Sequence, residues 1–292
     1  MRFRDWATRV LLISLMFTAW SVALLAGKIS QSQSNTITPS NQEITTAWSE
    51  YPQVKLQSAK NQAEKSPDLP KSPVKTNKAA GRYKTTQAFA QYKPKYEIAS
   101  VDPSNYGQRY AQDVNGVPLH NQPIIVLHET GYSASSAVNF FQIPHEDESV
   151  QASYHALIQL DGTVIYLVSP DKRAFGAANS VFDGIDGAET VKTNPDLPSS
   201  VNNFAYHVSL ETPPDGRGEN QQTHSGYTQA QYYSLAWLIA QSQVPSDRIT
   251  THQAVDRSGQ KIDPVSFDFD KLLTLLDTFR QLSPIYRANK SS

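Results

Sequence analysis

The chain has 292 residues with 26 Lys/Arg, 27 Asp/Glu and no cysteine. Its length allows one or two domains, and the lack of cysteine excludes disulfides, thiolate metal sites and a cysteine nucleophile. The near-neutral total hides an asymmetry: residues 28–96 carry eleven Lys/Arg against four Asp/Glu, and residues 97–292 carry twelve against twenty-two. The C-terminal body is therefore acidic, with no basic stripe for a nucleic-acid partner. The basic arm fits either an anionic contact, such as lipid headgroups or a wall polymer, or a solvated spacer.

At the N-terminus Arg2, Arg4 and Arg9 precede an uncharged, largely apolar run from Val10 to Gly27. This is the layout of an export signal, with Ser21-Val22-Ala23 as a cleavage site. The run is also close to bilayer-spanning length, so a retained membrane anchor stays open. From Ser30 to about Lys95 the chain is rich in Ser, Gln, Asn, Thr, Pro and Lys, too poor in apolar residues to offset ordering entropy. The expected organisation is a signal peptide or anchor at 1–29, a disordered basic tether at 30–96 and a folded body at 97–292.

Within the body, 123–128 ("PIIVLH") is a short apolar run that reads as a buried strand ending at His128. "SASSAVNFFQ" supplies serine caps and then helical spacing. Residues 154–168 form two β-rich runs around Asp161-Gly162, a hairpin signal because that dipeptide tolerates positive φ. In "FAYHVSLE", 204–211, Val208 and Leu210 alternate with His207, Ser209 and Glu211. Thr228 and Gln231 make a capping-box pattern ahead of Tyr232, Leu235, Ala236 and Ile239 at helical spacing. Phe269, Leu272, Leu273, Leu276 and Phe279 mark a last amphipathic helix. The fold class is α/β, a mixed sheet flanked by helices.

Several motifs fail on inspection. "HEDES" has Ser149 where a zincin needs its second histidine, "GYSAS" lacks the last glycine of a nucleophile elbow, and no glycine-rich phosphate loop follows a strand. What remains is a possible catalytic zinc site, which takes three protein ligands and keeps one position for water. His128 stands at a strand end, His252 and Asp263 are eleven residues apart on a loop, and Lys261 lies two residues before Asp263, able to face an oxyanion. On spacing alone a hydrogen-bonded structural histidine at 128 is the competing reading.

The ordered set of "IIVLHET", "SYHALIQLDGTVIYLVSPDKRAFGA", "HVSLE", "YTQAQYYSLAWLI" and "HQAVDRSGQKIDPVSFD" resembles the zinc-dependent N-acetylmuramoyl-L-alanine amidases of the type 2 family. That family shares its fold with peptidoglycan recognition proteins and an amidase-type phage lysozyme. The resemblance implies Zn2+ held by His128, His252 and Asp263. It implies Lys261 as the oxyanion donor, Glu211 as the residue that orients or deprotonates the attacking water, and Tyr154 in related work. It also implies His155 near bound substrate, and peptidoglycan or muropeptides as the partner. The implied reaction is hydrolysis of the amide joining N-acetylmuramic acid to L-alanine, by a chain exported to the bacterial cell envelope. A monomer is the simplest expectation.

The chain departs from the family pattern at two places. Phe175-Gly176 stands where many members have Trp-His, and His207 and Ser209 fall in a strand that reads Ser-Ile-Gly-Ile-Glu in the family. His207 shares a face with Glu211, where it could tune the site, compete for metal or only hydrogen-bond, the last being favoured; His120, His145 and His224 are expected at the surface. A non-catalytic muropeptide-binding module, or a zinc hydrolase of another amide, are the alternative functions.

Overall fold

The computed structural model describes residues 81–218, 221–284 and 286. The apolar segment 10–27 and the tether up to residue 80 lie outside the described residues. Among the described residues no helix is long and apolar enough to cross a membrane.

In chain order the elements are β1 (Tyr83–Thr85), α1 (Gln87–Gln91), β2 (Tyr96–Ile98), β3 (Tyr106–Gln108), β4 (Ile124–Glu129), α2 (Ala134–Phe141), β5 (Ala156–Ile158) and β6 (Val164–Tyr166). There follow β7 (Lys172–Ala174), β8 (Phe182–Gly184), β9 (Gly187–Glu189), β10 (Ala205–Leu210), α3 (Gln229–Ala240), β11 (Ile249–Thr251), α4 (His252–Val255), α5 (Phe269–Phe279) and β12 (Arg280–Leu282). The main sheet has the order β11-β4-β10-β5-β6-β2. It is mixed: only the β5–β6 hairpin is antiparallel within it, and Gly162 takes φ +86° in its turn.

The central strands β4 and β10 are buried along almost their whole length, as parallel strands covered on both faces must be. One face carries Ile125, Leu127, Val208 and Leu210 against α3 and α5, which contribute Leu235, Ile239, Leu272 and Leu276. Each such side chain is worth about 1.5–3 kcal/mol when fully buried. The helices start where expected: Ser133 caps α2, Thr228 and Gln231 close a capping box on α3, and Asp268 caps α5. On the other face Ile124, Val126 and Ala205 pack with Phe182 and Val201, while Leu157 and Ile165 pack with Ala134 of α2. Strand alternation carries this second face on to His128 and Ser209, which are paired across β4 and β10.

The boundary expected at residue 97 needs correcting. Residues 83–96, assigned to the tether by composition, are folded onto the body. β1 pairs with β12 at the far end of the chain, and β2 closes the sheet edge beside β6. Phe89 stacks on Trp237 at 5.3 Å, and Tyr92 packs on Phe279 at 5.7 Å and hydrogen-bonds Ser234 at 2.9 Å. Tyr83 covers the guanidinium of buried Arg280 at 4.0 Å. A chain started at residue 97 should therefore be less stable than one started at 81 by about 2 kcal/mol, since Phe89 and Tyr92 are each only partly buried against the core. Urea unfolding of both measures this, and a difference below about 1 kcal/mol would mean the strap contributes nothing.

Candidate metal centre

His128 ends up beside His252 because their strands are neighbours. β11 runs parallel to β4 with Thr251 opposite Leu127, so the next residue on each strand is level with the other and projects from the same face. His252 is the first residue of α4, capped by Thr251, where the sequence reading had placed a loop. Asp263 is drawn back across eleven residues by the Gln253 N–H, which donates to the Asp263 carbonyl at 2.9 Å. The turn between them is tied by Asp256, whose carboxylate accepts from the backbone N–H groups of Ser258, Gln260 and Lys261. Burial pushes Asp256 up, but these hydrogen bonds prevail and hold it down at about 2.

The result is a cluster in which one donor atom each from His128, His252 and Asp263 lie within 4.8 Å of one another. His128 Nδ1 is 3.4 Å from Asp263 Oδ2, and His252 Nδ1 is 3.0 Å from Asp263 Oδ1. His128 Nδ1 is buried and meets no hydrogen bond of good geometry among the described residues. Burial pushes the His128 ring down to about 4, against the opposing pull of Asp263. Burial also works against the charge on Asp263, yet the adjacent His128 and His252 rings hold its carboxyl well below the usual range. At neutral pH the cluster therefore offers a neutral imidazole and a carboxylate, the protonation states a divalent metal needs. Two imidazoles and one carboxylate with no thiolate fit zinc with an open position.

The other expected residues fall at different distances from this cluster. Tyr154 lies against His128, ring centroids 4.7 Å apart; burial and the nearby Asp263 charge push its hydroxyl above the ordinary tyrosine range. Lys261 is exposed on the tied turn, close enough for its charge to disfavour protonation of His128. Glu211 is buried just past β10, but its carboxylate hydrogen-bonds Arg217 at 2.8 Å and the Leu160 N–H at 3.1 Å. Among the described residues it makes no hydrogen bond to the three clustered side chains. His155 is fully buried. Its Nδ1 accepts the His207 N–H at 3.0 Å, which leaves the ring proton on Nε2, 3.2 Å from the Lys172 carbonyl. No ring atom of His155 is left to face substrate, so the place implied for it beside substrate is not the one the structure gives it.

His224, expected at the surface, is also corrected: its side chain has no exposed area, and its Nε2 meets Glu129 Oε2 at 3.0 Å. Because Nδ1 accepts the Gly226 N–H, Nε2 carries the proton and donates. Tyr227 donates to the same Glu129 oxygen at 2.7 Å. His145, likewise, is partly buried and bonded to Asn105. Sequence reasoning gave no role to Glu129 or Arg217. Both are charged residues at strand ends or loops, and nothing in their local sequence distinguishes them from solvated ones.

The family model for N-acetylmuramoyl-L-alanine amidase (amidase type 2) matches residues 120–266, half of the chain, and the chain belongs to that family. Its mixed sheet flanked by helices is the fold class expected from the sequence. Similar solved structures include a selenomethionine derivative of AmpD, 22% identical over 61% of this chain and 94% of that one, TM-score 0.41. Another is the endolysin amidase LysCS of Clostridium intestinale, 19% identical over 62% and 95%, TM-score 0.37. A third is AMPDH3 of Pseudomonas aeruginosa in complex with anhydromuramic pentapeptide, 17% identical over 56% and 65%, TM-score 0.38. No curated protein matches the chain.

Proposed function

We propose that the protein is a zinc-dependent amidase that cleaves the bond between N-acetylmuramic acid and L-alanine in peptidoglycan or muropeptides. It would be exported to the cell envelope, either released from its N-terminal segment or anchored by it. The observation that carries this reading is the convergence of His128, His252 and Asp263, in a chain whose family is the N-acetylmuramoyl-L-alanine amidases. A bound zinc supplies Lewis-acid polarisation of the scissile carbonyl and makes a water nucleophilic near neutral pH. His128 and His252 serve as neutral donors, and Asp263 adds one negative charge that keeps a dication in place.

The remaining steps belong to the chain's own residues. Water adds to the lactyl carbonyl, and the charge that develops on its oxygen faces the Lys261 ammonium. Glu211 takes the proton from the water and delivers it to the L-alanine nitrogen as the C–N bond breaks. Its anchorage by Arg217 and Leu160 sets the direction of the carboxylate before substrate arrives. Tyr154, pressed on His128, keeps that ring upright and restricts water around it.

Lys261→Ala should lower kcat about 100- to 1,000-fold, the range for loss of one oxyanion donor, with zinc content unchanged because the side chain is exposed and binds no metal. The function itself is tested by mass spectrometry of material released from purified peptidoglycan. Stem peptides with a free L-alanine amino group are the expected product. A chain that sediments with peptidoglycan but releases nothing would be a binding module instead.

A further inference from the structure

His207 is a buried imidazole that the chemistry above does not use. Its Nδ1 lies 2.9 Å from His128 Nε2, and its Nε2 has no hydrogen-bond partner among the described residues. Two imidazole nitrogens at that distance share one proton, so one ring donates and the other accepts. His128 Nδ1 is the atom turned toward Asp263, and it can hold a metal only through a bare lone pair. A neutral His128 then carries its proton on Nε2, where the acceptor it meets is His207 Nδ1.

We propose that His207 is a positioning residue of the metal centre. It accepts the Nε2–H of His128, fixes that ring's tautomer and plane, and so aims Nδ1 at the point shared with His252 and Asp263. This rests on the reading of those three residues as metal ligands. The hydrogen-bonded partner of a ligating histidine is commonly a carboxylate, carbonyl or water; here it is a second imidazole from the adjacent parallel strand.

The space for that imidazole is supplied by Gly176. A Cβ at position 176 would lie 2.5 Å from both Cγ and Nδ1 of His207, an overlap no small shift relieves. The His207 ring is also held in place by the strand itself, with its own N–H bound to His155 and its ring parallel to that of His155, 5.9 Å between centroids. The two departures from the family pattern, at 175–176 and at 207, are therefore one contact. The ring at 207 occupies the room that a side chain at 176 would need.

The test is the Zn2+ affinity of the full-length chain, measured by competition with a chromophoric chelator, with folding followed by circular dichroism. His207→Ser should weaken zinc binding about 10- to 100-fold. His207→Asn, whose side-chain oxygen replaces Nδ1 as acceptor, should recover most of that loss. Gly176→Ala should weaken binding as His207→Ser does, and adding it to His207→Ser should cost little more, because the clash vanishes with the ring. If His207→Ser binds zinc as tightly as wild type while His128→Ala loses it, the positioning role is wrong and the metal site stands. Equal losses in His207→Ser and His207→Asn, both folded, would likewise overturn the role of the acceptor. A wild-type chain that binds no zinc overturns the metal-site reading and this inference together.

Discussion

His128→Ala should reduce peptide release at least about 1,000-fold. Lewis-acid polarisation is worth several kcal/mol, and about 1.4 kcal/mol is a factor of ten in rate. Of the three proposed ligands His128 is the hardest to replace, because it sits on a buried central strand paired on both sides, whose backbone cannot move to bring another donor into place. Removal of the ring also leaves His207 Nδ1 without its partner and takes one of two imidazoles from Asp263, at about 1–3 kcal/mol for each buried polar group left unpaired. Thermal unfolding separates the two effects. Wild type should gain about 2.7 kcal/mol in zinc at a hundredfold excess over its dissociation constant, and the variant should gain almost none. A variant that retains activity within tenfold would remove His128 from the site.

Glu211→Gln should lower kcat by about 100- to 10,000-fold, the usual worth of a positioned general base. It should do so with zinc affinity unchanged, since among the described residues the carboxylate hydrogen-bonds Arg217 and Leu160 and not the three clustered side chains. The amide still accepts the Leu160 N–H, so the chain path after β10 is kept. The ion pair to Arg217 is lost, but Arg217 is about a third exposed, and such a pair is worth no more than about 1 kcal/mol. The variant should therefore fold and bind metal as wild type does. Activity within a few-fold of wild type would mean that Glu211 only anchors the segment around Arg217.

The parts of the fold that were legible are those with a local cause. The apolar run at 124–128, the Asp161-Gly162 hairpin, the Thr228–Gln231 capping box and the periodic leucines of α5 each carry their signal within a dozen residues. The strap at 83–96 was misread because its three lysines, its Thr and Gln residues and Pro94 continue the polar composition of the tether, while its order comes from distant partners such as β12, nearly two hundred residues away. Composition has no access to such a partner. His224 was misread for a related reason: the polar stretch around it suggests solvent, but Glu129 and the close approach of Gly216 enclose its ring.

The candidate site divides along the same line. Spacing nominated His128, His252 and Asp263 but could not bring them together, since β4 and β11 become neighbours only through a crossover of more than a hundred residues. The family resemblance supplied that adjacency. Alternation along 204–211 put His207 and Glu211 on one face, and the hydrogen bond favoured for His207 is present. Its partner comes from the neighbouring parallel strand, and the absence of a side chain at 176 is what lets it stand there. For His155 the resemblance pointed toward substrate, whereas burial and two backbone hydrogen bonds hold it inside.

The most direct measurement is the rate of stem-peptide release from peptidoglycan by the full-length chain, first stripped of metal and then titrated with Zn2+. The rate should fall to background when stripped, rise linearly with added zinc and level off at one equivalent per chain. Release that persists undiminished in the stripped protein, or that fails to return at any zinc concentration while the chain remains folded, would contradict a catalytic zinc on His128, His252 and Asp263.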